Sequence, residues 1–217
     1  MSAPLARLSI PLFSVGFRPF FLLAGIHGAV TVGAWSGWLG DMWGWPALYT
    51  GPQLHAHEML FGFALAAVAG FQLTAVPQWT GATPLRGPGL AALAGTWVLG
   101  RLAMMGAGAI GPLAAMALDL LFPLALCAVI SAMLLVTSNR RNFVFIALLA
   151  VIGLANLSWH LEMMDIWEDT TGPALNLMLN LLLIMIAVIG GRVIPMFSAN
   201  WMQGQGRPLT IRHPVWL

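Results

Sequence analysis

The feature that most constrains this chain is a series of apolar stretches, each about as long as a bilayer is thick. They cover residues 20–39, 52–76, 90–106, 113–136, 143–162 and 174–197, approximately. A spanning helix needs about 20 mostly apolar residues, and in lipid every backbone polar group must be bonded internally. We therefore predict an all-α membrane protein, a polytopic bundle of about six transmembrane helices embedded in the lipid bilayer.

The composition excludes several other classes of protein. Only 7% of the 217 residues are charged and the mean hydropathy is +0.87, whereas soluble domains have about 25% charged residues. The spans leave no room for a second domain, so residues 1–217 are predicted to form one transmembrane domain. The basic residues are all arginines without a long basic run, which excludes nucleic acid as the partner. Cys127, the sole cysteine, cannot form a disulfide or a thiolate metal site within one chain.

Orientation follows from the arginines between the apolar stretches. They fall in alternate loops, whereas the intervening loops carry acidic residues and no arginine. Because cytoplasmic loops are enriched in basic residues, both termini are predicted to be cytoplasmic, in a bacterial inner membrane. The arginines are Arg7, Arg18, Arg86, Arg140, Arg141, Arg207 and Arg212, and the acidic residues are Asp41, Asp165, Glu168 and Asp169.

Ionisable residues inside the predicted spans are the candidates for function. Each costs about 2.5 to 3.5 kcal/mol to insert, so each one retained there needs a partner or a purpose. The set comprises His27, His55, His57, Glu58, Arg101, Asp119, His160, Glu162 and Arg192.

The densest group of these residues lies near the start of the second stretch, at His55-Ala56-His57-Glu58. Imidazoles are common ligands of copper and of haem iron, although histidines at a membrane interface can also simply be hydrated. Two residues rotate a helix by about 200°, so His55 and His57 point apart and share one ion only if the first turn is frayed. His27, near the middle of the first stretch, is either a further ligand or a neutral imidazole bonded to a carbonyl.

His160 ends the fifth stretch on the same far side of the membrane, one turn after Asn156. A haem with two axial imidazoles needs histidines from two helices, and a copper site needs two or three imidazoles. We therefore predict His57, His160 and His27 as cofactor ligands and His55, His57 and His160 as metal ligands. Glu58 and Glu162 are expected to orient imidazoles through their second nitrogens.

Arg101 and Asp119 lie at similar distances from the tight turn that joins the third and fourth stretches. Their common depth predicts a structural ion pair, which offsets the insertion cost of both charges. The alternatives are contact with a haem propionate or a part in proton transfer.

Several short strings, in order along the chain, resemble the NnrS family. They are GFRPFF at 16–21, HAHEMLFG at 55–62, TAVPQWTG at 74–81 and GGRVIPMFSAN at 190–200, together with Arg140-Arg141-Asn142 and Trp159-His160. Members of this family are bacterial membrane proteins that contain haem and copper and are associated with the response to nitric oxide.

The resemblance implies haem and copper as cofactors and a role in denitrification or nitrosative stress, with nitric oxide or a derived species as a partner. It assigns no reaction. Family members are about twice as long, with about twelve spans, so this chain resembles an N-terminal half that would act with the missing C-terminal half or in an oligomer.

Two other functions remain open on the sequence. A cytochrome-b-like electron carrier would need histidine pairs stacked at two depths, and the spans hold few histidines. A metal-free transporter or assembly subunit would use Arg101, Asp119 and Glu58 for its substrate or for protons.

The predicted orientation is tested by fusing alkaline phosphatase, which folds actively only outside the cytoplasm, to truncated chains. We expect an inactive fusion after Arg141 and an active fusion after Asp169, because these positions fall in loops of opposite charge type. The reverse pattern would overturn the orientation.

Overall fold

The structure is a computed structural model that describes residues 11–44, 48–137 and 142–207. Arg7, Arg140, Arg141 and Arg212, which carry part of the orientation argument, lie outside these ranges. Within them the regular structure is helical and contains no strand. The long helices are α1 (Phe17–Leu39), α2 (Gly51–Thr80), α3 (Pro88–Met105), α4 (Pro112–Leu135), α5 (Val144–Met163) and α6 (Thr171–Gly204).

Local sequence signals account for where these helices begin. Proline stands at the first or second helical position of α2, α3 and α4. N–H groups of the first turn have no partner within the helix, so the N–H that proline lacks costs no hydrogen bond there. Before α2, the backbone N–H of Thr50 donates to Gln53 Oε1 at 3.0 Å, as part of a capping box. A 3₁₀ turn (Pro11–Ser14) precedes α1, and a short helix (Ala107–Ile110) lies between α3 and α4.

Five of the described helices, α1, α2, α4, α5 and α6, are long and apolar enough to cross a membrane. The all-α membrane architecture predicted from the sequence is thus confirmed, but α3 is not among the five. It has 18 residues and includes Arg101 together with several polar or small residues, which lower its hydropathy. Large apolar side chains such as Leu102, Leu124 and Ile186 are more than half exposed on the outer surface, as suits contact with lipid.

Neighbouring helices pack in chain order around the core: α3 on α4, α4 on α5, α5 on α6, and α1 on the later part of α2. Gly100 lets α3 approach α4 closely, because a Cβ at this position would lie 3.1 Å from Asp119 Cα. Arg192 of α6 donates to Asn142 Oδ1 at 2.6 Å and lies over the rings of Trp79 and Phe145.

The winding of α2 is irregular where its buried polar residues lie. The segment Glu58–Ala64 is a π-helix, inserted between α-helical turns at Gly51–His57 and Leu65–Thr80. Such segments are rare and frequently mark functional sites. Here the change of winding accompanies two consecutive polar residues, His57 and Glu58, that are both buried inside the bundle.

Candidate metal centre

Polar side chains from five helices meet in one buried network in the interior of the bundle. All are buried except His27, which is only partly exposed. The members are His27 from α1, His57 and Glu58 from α2, Arg101 from α3, Asp119 from α4, and Asn156 and His160 from α5.

Glu58 connects three of these helices. Its Oε1 lies 2.8 Å from Arg101 Nη1 and 3.1 Å from His57 Nδ1, and its Oε2 lies 3.0 Å from His27 Nε2. Gly62, one turn further on, makes room for these contacts, because a Cβ there would lie 2.6 Å from His27 Nε2 and 2.9 Å from Arg101 Nη1. His27, predicted from the sequence as a further ligand or as a neutral imidazole bonded to a carbonyl, belongs to the same network through its contact with Glu58.

Asp119 is the second centre of the network. Its Oδ1 forms an ion pair with Arg101 Nη2, so the pair expected from their common depth is present. Its Oδ2 accepts a hydrogen bond from Asn156 Nδ2 at 2.7 Å and lies 3.0 Å from His160 Nε2 and 3.3 Å from His57 Nε2. Arg101 therefore joins two carboxylates, Glu58 and Asp119, rather than the single one predicted.

His57, Asp119 and His160 can converge on one metal ion, since one ligand atom from each lies within 4.8 Å of the others. Two ligands of a tetrahedral ion with bonds of about 2.0–2.2 Å lie about 3.4 Å apart. The separations of Asp119 Oδ2 from the two Nε2 atoms are close to that value. Coordination would replace the contact of His57 Nε2 with Asn156 Oδ1, now 2.9 Å. Glu58 would still hold Nδ1, as outer carboxylates of metal sites do.

The charge of the network also favours a cation. Glu58 and Asp119 contribute two negative charges when ionised, and Arg101 contributes one positive charge, at positions that are at most 5% exposed. A net negative charge buried in an apolar interior is strongly unfavourable unless it is compensated. Either a proton held within the network or a metal cation would compensate the remaining negative charge.

A haem held axially by His57 and His160 does not fit the described structure. Their ring centroids are only 5.4 Å apart, and Asp119 Oδ2 contacts both Nε2 atoms. Trp159 fills the adjacent space, with its centroid 4.3 Å from that of His57 and 5.0 Å from that of His160. The arrangement leaves no slot for a flat macrocycle between the two imidazoles.

His55 does not join the network, although the sequence analysis predicted it as a metal ligand. Its ring stacks on Trp35 of α1, with centroids 4.5 Å apart and an angle of 15° between the planes. The cause is the rotation between residues two apart on a helix, which turns His55 away when His57 faces inward.

Glu162 is also placed differently from its predicted role of orienting an imidazole. Its carboxylate accepts hydrogen bonds from the backbone N–H groups of Thr170 and Thr171, where α6 begins. A negative charge at this position compensates the positive end of the helix dipole. Glu162 therefore stabilises the turn between α5 and α6 and does not orient the imidazole of His160.

Two donors near the network were not identified from the sequence as site residues. The Tyr49 hydroxyl and Trp159 Nε1 are buried and have no hydrogen-bond partner among the described residues. The two rings are 5.2 Å apart, and Trp159 contacts both metal-site imidazoles. Unpaired buried donors call for an explanation in the native protein, such as a bound water or ligand. Tyr49 gives no sequence signal beyond being the sole tyrosine.

Comparison with known proteins supplies the family. The family model described as NnrS protein matches residues 11–217. The chain belongs to the NnrS family. Searches of curated proteins and of solved structures give no significant match. In this NnrS-family chain, the strings that carried the resemblance include three members of the network, His57, Glu58 and His160, and also Gly62 at its edge.

Gly62 provides a test of how the network is assembled. We expect Gly62→Ala to push His27 and Arg101 away from Glu58 and to destabilise the protein by about 1–3 kcal/mol, the usual cost of overpacking. The control is Gly25→Ala, since no heavy atom lies within 4 Å of a Cβ there. Unfolding of both variants in detergent measures the difference, and equal stability of the two would contradict the assembly described here.

Arg101 provides a second test. Arg101→Met leaves two buried carboxylates without a guanidinium and should cost about 3–5 kcal/mol. Adding Glu58→Gln and Asp119→Asn should recover most of this loss, because the remaining polar groups are neutral and bonded. Arg207→Met, at an exposed position, is the control in the same unfolding assay. A triple variant no more stable than Arg101→Met would show that charge compensation is not what Arg101 contributes.

Proposed function

We propose that this NnrS-family chain is a copper-binding integral membrane protein that takes part in the bacterial response to nitric oxide. The observation that carries the proposal is the buried grouping of His57, Asp119 and His160. Family membership supports the same conclusion.

Copper is preferred because the family resemblance implies it and because the ligand set suits it. Two imidazoles and one carboxylate bind copper or zinc well, whereas magnesium and calcium prefer oxygen ligands. A copper ion held there would supply a position at which nitric oxide or another small ligand can bind.

The protein's own residues prepare this position. Glu58 holds Nδ1 of His57, which leaves Nε2 for a bound ion, and Arg101 engages Oδ1 of Asp119, which leaves Oδ2. The Trp159 ring lies against both imidazoles and against the Tyr49 ring, and the donors of Trp159 and Tyr49 have no hydrogen-bond partner among the described residues.

The haem implied by the family is assigned no ligand pair here, because His57 and His160 do not accommodate one. Among the remaining described histidines, His55 stacks on Trp35 and His27 contacts Glu58. These histidines therefore form no second pair arranged for a haem, and His213 lies outside the described residues.

We further propose that all six long helices cross a bacterial inner membrane, with both termini in the cytoplasm. Among the long helices of the described ranges, α3 alone is outside the five strongly apolar ones, and the charge of Arg101 that lowers its hydropathy is compensated inside the bundle. With this orientation, the metal centre lies in the periplasmic half of the membrane, since His57 is near the start of α2 and His160 near the end of α5.

A metal-free role in moving protons or a substrate is the second candidate. It is favoured by the unbroken series of polar contacts from His27 through Glu58, His57 and Asp119 to His160. A cytochrome-b-like electron carrier has less support, because the described histidines form no pair with space for a haem between them.

Metal analysis separates these candidates. Protein purified from membranes of copper-supplied cells should contain about one copper per chain, and His57→Ala or His160→Ala should lose most of it, since each removes one of three ligands. His55→Ala is the matched control, because it removes an imidazole from the same helix outside the grouping.

An optical spectrum of the same samples shows whether haem is also bound. In the metal analysis, copper retained equally in all three variants would overturn the proposed ligands. Absence of any bound metal in the unsubstituted protein would favour the metal-free role.

A further inference from the structure

A groove on the outer surface shares no residue with the metal centre. It is an open space of about 440 Å³ bordered by α1, α3 and the 3₁₀ turn before α1, and every residue that lines it is apolar. Small residues of α3, Ala91, Ala94 and Gly95, form part of its wall, and Leu22 and Leu23 of α1 lie on the other side.

The dimensions of the groove match a single hydrocarbon chain. From Ala91 to Leu102 it extends about 16 Å along α3, roughly half of the 30 Å hydrocarbon thickness of a bilayer. An acyl chain about 4 Å wide fits, because non-bonded carbons pack about 3.5–4.0 Å apart.

Positive charge lies at one end of the groove. Arg18 precedes Pro19 of the wall, and its Nη1 donates to Pro11 O at 2.9 Å. Arg86 precedes Gly87, whose N–H donates to the carbonyl of Phe13, another wall residue, at 2.8 Å. Both arginines are exposed. No carboxylate in the described ranges forms an ion pair with either of them.

We propose that this groove binds one acyl chain of an anionic phospholipid, whose phosphate group is bonded by Arg18 and Arg86. Apolar walls alone would accept any lipid, so the arginines provide the selectivity. Exposed basic residues at a membrane surface attract anionic headgroups in this way. The site is independent of the proposed copper centre, since none of its residues belongs to the polar network.

Native mass spectrometry of the full chain in detergent, with added dioleoyl phosphatidylglycerol or dioleoyl phosphatidylcholine, tests the proposal. We expect one phosphatidylglycerol to be retained with a preference of about tenfold or more, the ratio that two basic residues near a lipid surface should give. Equal retention of the two lipids by the unsubstituted protein would overturn it.

Substitutions locate the bound lipid. Gly95→Leu should fill the groove and abolish retention, whereas Gly153→Leu should not, although a Cβ has no neighbour within 4 Å at either position. Arg18→Gln with Arg86→Gln should remove the preference for phosphatidylglycerol, and Arg207→Gln should leave it intact. Unchanged retention in Gly95→Leu would place the lipid elsewhere. Loss of a dimer instead of a lipid in that variant would identify a second copy as the occupant and refute the proposal.

Discussion

Charge compensation in an apolar interior is the constraint on which this structure depends. Glu58 and Asp119 are buried among helices that face lipid, and Arg101 is the guanidinium that both contact. Removing Arg101 would leave both carboxylates without a compensating charge, which explains why a helix as polar as α3 is retained in the bundle. The same contacts tie α2, α3 and α4 together, while the histidines extend the network to α1 and α5.

The sequence predicts the helices well and the network only in part. Apolar length gives the helices directly, and equal distance from a turn predicts that Arg101 and Asp119 meet. The contact of Arg101 with Glu58 could not be predicted in this way, because length gives the depth of a residue but not the rotation of its helix. The π-helix at Glu58–Ala64 changes that rotation locally, so a regular period of 3.6 residues misplaces the residues after Glu58, such as Gly62, relative to His57.

Two further residues show what spacing alone leaves undetermined. His27 was expected to be a further ligand or to bond a helix carbonyl, but it reaches Glu58 because Gly62 has no side chain in its path. Glu162 is two residues from His160, but its nearest donors are the first N–H groups of the next helix. In both cases the deciding contact comes from a different helix, which sequence proximity does not reveal.

On the proposed function, metal binding and charge compensation are the same event. The two carboxylates exceed the guanidinium by one negative charge, and without a metal a proton held within the network can balance it. Ligating nitrogens must be unprotonated, so a monovalent ion bound by His57, Asp119 and His160 would replace that proton and leave the buried charge unchanged. A divalent ion would add one more charge and would therefore need an anionic ligand to accompany it.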